Sequence, residues 1–235
     1  LSILDENDPT EFALNELAEL KEGTATIKTI NLSSYSVDIK RYLNNQTITL
    51  KSNIPSMTVS SAISISACET EFLDSISVYS DNVWRSTTST SIQALERYIL
   101  LTVDSAEHRS KLTFLMPEKP KIIIPSHQTL IRTVTALPYK ESITASLGAR
   151  TVDQTTISGE NLATSLPYGS VSNPVLLKPG FLPITLFTAT QPARLIEAML
   201  GEVKPGKSYL LVFWMEGQTV KCTLINDDDE QTSVE

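Results

Sequence analysis

The chain is poor in the residues that build most chemical sites. Its 235 residues include two cysteines, two histidines and eight glycines, and only 6% are aromatic. Cys68 and Cys222 are too few for a disulfide scaffold and too far apart in sequence for a local metal clip. No apolar run approaches the ~20 residues of a membrane helix. The net charge of −8 argues against a general affinity for nucleic acid or anionic membrane.

Hydroxyl side chains are abundant instead. The sequence contains 27 Ser and 27 Thr, and its 41% of hydrophobic residues is too apolar for a disordered chain. Thr favours strands, whereas Ser favours turns and the solvent-facing positions of strands. The composition therefore predicts an all-β, surface-type protein, and the length allows one large core or two of about 100 residues.

One helix is predicted, near the N-terminus. Asp8 suits the N-cap, Pro9 suits the first helical position, and Gly23 can end the helix. The chain starts without Met and without a signal peptide, which indicates either a mature N-terminus left after processing or an artificial start.

Beyond Gly23 the apolar residues recur with a period of two, as in strands with one buried face. Such alternation occurs in residues 24–30, 47–50, 59–67, 75–79, 133–137, 183–187 and 219–225. Continuous apolar runs at residues 98–103 and 209–214 predict strands buried on both faces. Short strands separated by turns predict a sandwich or barrel.

The sequence also repeats itself. Residues 27–39 align with residues 131–143, and three further blocks follow in the same order: 75–79 with 183–187, 97–103 with 208–213, and 111–115 with 221–225. We predict two tandem immunoglobulin-like or transthyretin-like β-sandwich domains after a short N-terminal helix. The predicted boundaries are 1–24 for the N-terminal segment and helix, 25–118 for the first sandwich, 119–127 for a Pro-rich linker, 128–226 for the second sandwich and 227–235 for a solvated acidic tail.

One string matches a nucleotide-binding motif. Residues 201–208 fit the phosphate-loop pattern G-x-x-x-x-G-K-S at every required position. That loop needs a helix starting at its Lys-Ser pair, but an apolar and aromatic run typical of a strand follows Ser208. Pro205 also lacks one of the N–H groups that would bind phosphate. Pro205 and Gly206 are therefore predicted to form a β-turn.

No catalytic, cofactor or metal site is predicted. His108 and His127 lack further ligands at metal-binding spacing. Cys68 and Cys222 occupy non-equivalent places in the two repeats, so we expect them to be unpaired thiols.

Neither the aromatic residues nor the two glycosylation triplets require a binding or modification site. Most aromatics occupy alternating apolar positions, and the core candidates are Tyr35, Tyr139, Phe187 and Phe213. An exposed cluster near carboxylates would instead favour glycan binding, with Trp84, Tyr42 and Tyr168 as its candidates. The Asn-x-Ser/Thr triplets at Asn31 and Asn45 are weak glycosylation signals.

Several blocks together resemble a known family. They read Leu-Ile-Arg-Thr-Val at 130–134, Leu-Pro-Tyr-Gly-Ser-Val-Ser at 166–172, Leu-Lys-Pro-Gly at 177–180, Pro-Gly-Lys-Ser-Tyr-Leu-Leu-Val at 205–212 and, in the first repeat, Asn-Leu-Ser-Ser at 31–34, Val-Asp-Ile at 37–39 and Asn-Asn-Gln at 44–46. They resemble a family of extracytoplasmic domains of unknown function from bacteria and archaea, with Tyr-Gly-x-x-Ser, Pro-Gly turn and Gly-x-x-Tyr motifs. The resemblance implies secreted or envelope-attached tandem sandwiches and brings no catalytic residues. Neither repeat keeps the family's His-Ala-Ser-Pro block.

The sequence thus predicts a non-enzymatic, extracytoplasmic structural or interaction protein that needs no cofactor, binds no nucleic acid and does not insert into a membrane. Its partner is another protein or a second copy of itself; the alternative is a module that binds glycan or another small molecule. Residues 59–67 form an uncharged strand suited to pairing with an extended segment. Leu1, Ile3 and Leu4 are the candidate assembly segment, unless they fold back on their own first domain.

Overall fold

The computed structural model describes residues 23–43, 46–67, 74–81, 83–90, 92–104, 111–117, 123–137, 142–148, 160–188, 194–216 and 219–227. These residues form eighteen strands and no helix, which confirms the predicted all-β class. Among them, no helix exists that is long and apolar enough to cross a membrane. The predicted N-terminal helix and the segment of Leu1, Ile3 and Leu4 lie outside the described residues.

Nine strands form the first half of the chain. They are β1 (Thr24–Leu32), β2 (Val37–Leu43), β3 (Gln46–Ile54), β4 (Thr58–Val59), β5 (Ile63–Ser66), β6 (Asp74–Ser80), β7 (Val83–Thr90), β8 (Arg97–Asp104) and β9 (Lys111–Pro117). The second half contains β10 (Thr129–Thr135), β11 (Ile143–Leu147), β12 (Asn161–Leu166), β13 (Ser170–Val171), β14 (Val175–Leu177), β15 (Gly180–Thr188), β16 (Arg194–Val203), β17 (Ser208–Glu216) and β18 (Thr219–Asn226). Most of the stretches predicted as strands are confirmed. Residues 59–67 instead form two short strands, β4 and β5, separated by residues 60–62, and β10 ends two residues before the predicted end at 137.

The two halves have the same sheet topology. Outer sheet 1 has the order β3-β2-β6-β7, and inner sheet 1 has the order β4-β1-β8-β9 with β5 also on β1. Outer sheet 2 (β12-β11-β15-β16) and inner sheet 2 (β13-β10-β17-β18, with β14 also on β10) repeat these orders. The parallel pairs agree in register as well, since Ile27 lies opposite Tyr98 and Ile131 opposite Tyr209.

Alternating side chains divide the buried residues among three cores. In β1, Ala25 and Ile27 face outer sheet 1 and belong to the first core, whereas Ile30 and Leu32 point the other way. The latter pack with residues of β10, β17 and β18 into a middle core, where inner sheets 1 and 2 face each other. A second core fills the space between inner and outer sheets 2. The two inner sheets are therefore covered on both faces, which is why residues 98–103 and 209–214 are apolar apart from the buried Thr102.

The predicted aromatic core is correct in part. Phe213 is fully buried in the second core, and Phe187 is half-buried. Tyr35 differs from the prediction, because it lies in the bend after β1 and is 61% exposed. A bend interrupts the strand period, so alternation no longer predicts which side a residue faces. Tyr139 lies outside the described residues.

Candidate functional site

The phosphate-loop string forms the turn between β16 and β17. Gly206 has φ of +71°, as the predicted Pro-Gly turn requires. The N–H of Lys204 donates to the Tyr209 hydroxyl at 3.0 Å, and the N–H of Gly206 donates to the Gln128 carbonyl at 2.7 Å. Since these donors are already engaged and Ser208 starts a strand, the loop cannot cradle a phosphate.

The candidate chemical residues do not converge. His127 is exposed in the turn before β10, and His108 lies outside the described residues. No group of three His, Cys, Asp or Glu that could hold a metal occurs within the described part of the chain. Cys222 on β18 is an unbridged, half-buried thiol, and burial raises its pKa. Cys68 lies outside the description.

The first glycosylation triplet is built into the interior. Asn31 is fully buried, and its Nδ2 lies 2.9, 3.1 and 2.9 Å from the carbonyl oxygens of Tyr35, Ile54 and Pro55. Its Oδ1 accepts bonds from the N–H and hydroxyl of Ser33. The amide therefore ties the bend after β1 to the end of β3, and it is not accessible for modification in the folded chain.

A buried ion pair lies beside the middle core. Arg132 of β10 donates to the Asp227 carboxylate at 2.5 Å, with only 4% and 6% of their side chains exposed. The hydroxyl of Ser208 donates to the same carboxylate oxygen at 2.6 Å. Lys28 of β1, in the first half, donates to the Asp227 carbonyl at 2.5 Å. Of these contacts, only the Lys28 bond joins the two halves, because Arg132, Ser208 and Asp227 all belong to the second half.

Our sequence interpretation missed this cluster. It placed Asp227 in a solvated tail, which is wrong for this residue. The available signal was Arg132, a charge within a strand that is otherwise apolar or hydroxyl-bearing. A buried guanidinium needs a carboxylate partner, and Asp227 follows the strand that pairs with the neighbour of β10.

Outer sheet 1 exposes a face with two tyrosines. Tyr42 of β2 is 49% exposed, and Tyr79 of β6 lies on the same face. The Lys40 ammonium lies 4.2 Å from the centre of the Tyr79 ring. Tyr168, the other described glycan candidate, lies in the turn between β12 and β13, so the predicted residues do not share one strand face. The side chain of Trp84 is outside the description.

Most sheet edges are irregular. The pairings of β3, β7, β12 and β16 with their neighbours each contain a register shift. The edges formed by β4 with β5 and by β13 with β14 are broken, and at the breaks the hydroxyls of Ser60 and Ser172 accept the N–H groups of Thr29 and Thr133. Bulges and breaks protect edges against pairing with another chain. The predicted acceptor, residues 59–67, is therefore an edge, but an interrupted one.

Only β9 and β18 are regular edges within the described residues. Each pairs with one neighbour along its whole length without a register shift. Pro117 lies opposite Tyr98 as Asn226 lies opposite Tyr209, so Lys111 is structurally equivalent to Val220. The alignment of residues 111–115 with 221–225, which pairs Lys111 with Lys221, is therefore wrong by one residue. Pro at an edge strand lacks an N–H, and Lys at an edge discourages pairing. The ends of β9 are thus protected, whereas β18 has neither residue at these positions.

The sequence matches no family model and no curated protein. Among solved structures, the chain is similar to a fimbrial assembly protein of Parabacteroides distasonis, with 8% identity, 92% and 99% of the two chains covered and a TM-score of 0.28. It is also similar to a putative cell adhesion protein of Bacteroides uniformis (6%; 88% and 98%; TM-score 0.26). A third is CBMbc, family CBM26, from Eubacterium rectale Amy13K in complex with maltoheptaose (10%; 85% and 95%; TM-score 0.25).

Proposed function

At these TM-scores the likenesses carry no argument, and we propose a function from the chain's own geometry. The chain is a non-enzymatic structural protein, secreted or at the cell surface, made of tandem β-sandwich domains that associate with protein partners or with copies of themselves. The extracytoplasmic location rests on the hydroxyl-rich composition and on the family resemblance described above.

The observation that carries this proposal is the regular edge of β18. An edge strand offers unpaired N–H and C=O groups, and an added strand gains affinity from backbone bonds and register from alternate side chains. Because six of the eight edges described above are bulged or broken, and β9 ends in Pro117 and begins with Lys111, association is directed to one place. The repeated sheet orders support the tandem-domain interpretation.

The buried ion pair supports a structural role in a second way. Arg132 of β10 binds the Asp227 carboxylate, and Lys28 of the first half binds the Asp227 carbonyl, so the edge is presented by a fixed body. A fixed edge loses less conformational entropy on binding than a mobile one.

Leu1, Ile3 and Leu4 remain the proposed assembly segment. Light scattering across a concentration series tests the proposal, with the intact chain compared with a chain lacking residues 1–8. We expect the intact chain to form oligomers and the deletion to reduce their mass without lowering the melting temperature. A strictly monomeric intact chain at high concentration and native salt would refute self-association.

A second candidate function is glycan binding by the exposed face of outer sheet 1. Tyr42 beside the Lys40–Tyr79 pair is the observation that favours it, because sugars stack on exposed aromatic rings. Titration calorimetry with soluble glycans should show binding that Tyr42→Ala removes. Ile48→Ala on β3 is the matched control, because Ile48 is exposed to a similar degree, at 46%. Equal heats for the intact chain and Tyr42→Ala would exclude this face.

A further inference from the structure

The structure defines which residues of β18 point their backbone N–H and C=O groups away from β17. The N–H of Asp227 donates to the Ser208 carbonyl at 2.9 Å, so residue 227 points its backbone groups toward β17. The pairing of β17 with β18 contains no register shift, and backbone direction alternates along a strand. The N–H and C=O groups of Val220, Cys222 and Leu224 therefore face away from β17, toward an edge where no other described strand is hydrogen-bonded to β18.

The same three residues carry an apolar stripe. Their side chains alternate with Lys221 and Thr223 and pack against the second core, yet each stays half-buried. The stripe is symmetric about its middle residue, with one aliphatic side chain two positions before Cys222 and another two positions after it. Two copies of such a strand that run antiparallel therefore place apolar side chains opposite each other.

We propose that β18 pairs antiparallel with the β18 of a second copy of this chain, about a two-fold axis at Cys222. This inference rests on the proposed self-association and specifies its site and partner. Cys222 lies opposite the second copy's Cys222, and Val220 lies opposite its Leu224. These are hydrogen-bonded pairs, each exchanging two N–H···O=C bonds, and the two stripes meet on one face.

Backbone direction and side-chain charge together determine which residues of the two β18 strands lie opposite each other. A shift by one residue would place inward-pointing backbone groups opposite outward-pointing ones, so only shifts by two are allowed. A shift by two in one direction centres the axis on Lys221 and places the two Lys221 side chains opposite each other. A shift by two in the other direction centres it on Thr223 and places Val220 opposite Asn226, so the two apolar stripes no longer match. In the register centred on Cys222, Lys221 lies opposite Thr223 of the other copy, so no like charges oppose each other directly.

Disulfide trapping tests this geometry. Hydrogen-bonded antiparallel residues have Cα atoms about 5.5 Å apart, within the range that a disulfide spans. Mild oxidation of Cys68→Ser should therefore produce a covalent dimer on a non-reducing gel, and Cys222→Ser should produce none. The matched control is Lys221→Cys in a chain lacking both native cysteines, because residue 221 is exposed but lies opposite Thr223 of the other copy and should not cross-link.

A second variant gives β18 an edge lysine like that of β9. Val220→Lys introduces the residue that β9 carries at the equivalent position, Lys111. Because Val220 packs against the second core, the matched control is Val220→Ala, which loses the same packing without adding a charge. We expect both variants to fold and only Val220→Lys to lose the dimer in light scattering. Because each chain carries a net charge of −8, added salt should strengthen the dimer of the intact chain by screening repulsion.

The outcomes separate this inference from the proposed function. Oligomers that form without a Cys222 cross-link would overturn the β18 site and leave self-association standing. A cross-link that disappears when residues 1–8 are deleted would assign the pairing to the N-terminal segment instead, and it too would overturn the inference. A chain that stays monomeric would overturn both.

Discussion

Replacing Asp227 by alanine should destabilise the fold much more than removing a surface charge. The substitution leaves the Arg132 guanidinium, only 4% exposed, without its carboxylate, and it also removes the acceptor of the Ser208 hydroxyl. Removing one partner of a buried ion pair costs about 3–5 kcal/mol in free energy of unfolding. This lowers the folding equilibrium constant by about two to more than three orders of magnitude.

Urea denaturation can measure this loss through Trp214, which is 6% exposed in the middle core. A Trp84→Phe background removes the second fluorophore. The matched control is Glu216→Ala, because Glu216 pairs with Lys221 at 3.2 Å with side chains 73% and 46% exposed. Exposed pairs contribute about 0–1 kcal/mol, so this control should barely change the midpoint.

A double substitution distinguishes ion pairing from general damage. Adding Arg132→Met to Asp227→Ala removes the uncompensated buried charge, so the double variant should be more stable than Asp227→Ala alone. A loss below about 1 kcal/mol for Asp227→Ala, or strict additivity of the two changes, would show that the ion pair does not stabilise the end of β18.

Four further predictions concern single residues. Peptide mass spectrometry of the chain made in a glycosylating host should find no glycan on Asn31, because its side-chain amide is buried and hydrogen-bonded to backbone carbonyls. Lys207→Ala should keep the fold, and calorimetry should detect no ATP binding before or after the change. Iodoacetamide should alkylate Cys222 more slowly than a free thiol at neutral pH, and faster as the pH rises toward its raised pKa, because burial reduces the thiolate fraction. Thr133→Val should raise the unfolding midpoint, since the buried Thr133 hydroxyl has no partner among the described residues, whereas Thr129→Val should lower it by removing a 2.9 Å bond to the Lys207 carbonyl.

Local patterns predicted many of the strands, among them β1, β8, β10 and β17, but they did not predict β2, β7, β12 or β16. Alternating and continuous apolar runs indicate how many faces of a strand are buried, and both patterns can be recognised from consecutive residues alone. The turn at Pro205 and Gly206 was also predictable, because φ requirements act on single residues. The aligned blocks indicated which strands would be equivalent before any pairing was known.

The candidate site depends on pairings that the sequence does not encode locally. A bulge or a broken edge exists only relative to a neighbouring strand, so residues 59–67 gave no sign that Ser60 would interrupt them. The same holds for Asp227, whose burial depends on β1 and β10 lying beside it. The sequence also does not show which residues of β18 point their backbone groups away from β17, because this depends on the bond between the Asp227 N–H and β17.

The different ends of β9 and β18 limit what kind of assembly the chain can build. If the edge of β18 pairs with its own copy, the contact is isologous and closed, because each chain uses the same strand and the described strands offer no second regular, unprotected edge. Growth beyond a dimer then requires a separate, head-to-tail contact, and the segment of Leu1, Ile3 and Leu4 is the candidate for it. Deleting residues 1–8 should therefore reduce larger assemblies to dimers, whereas Val220→Lys should leave only those contacts that the N-terminal segment makes.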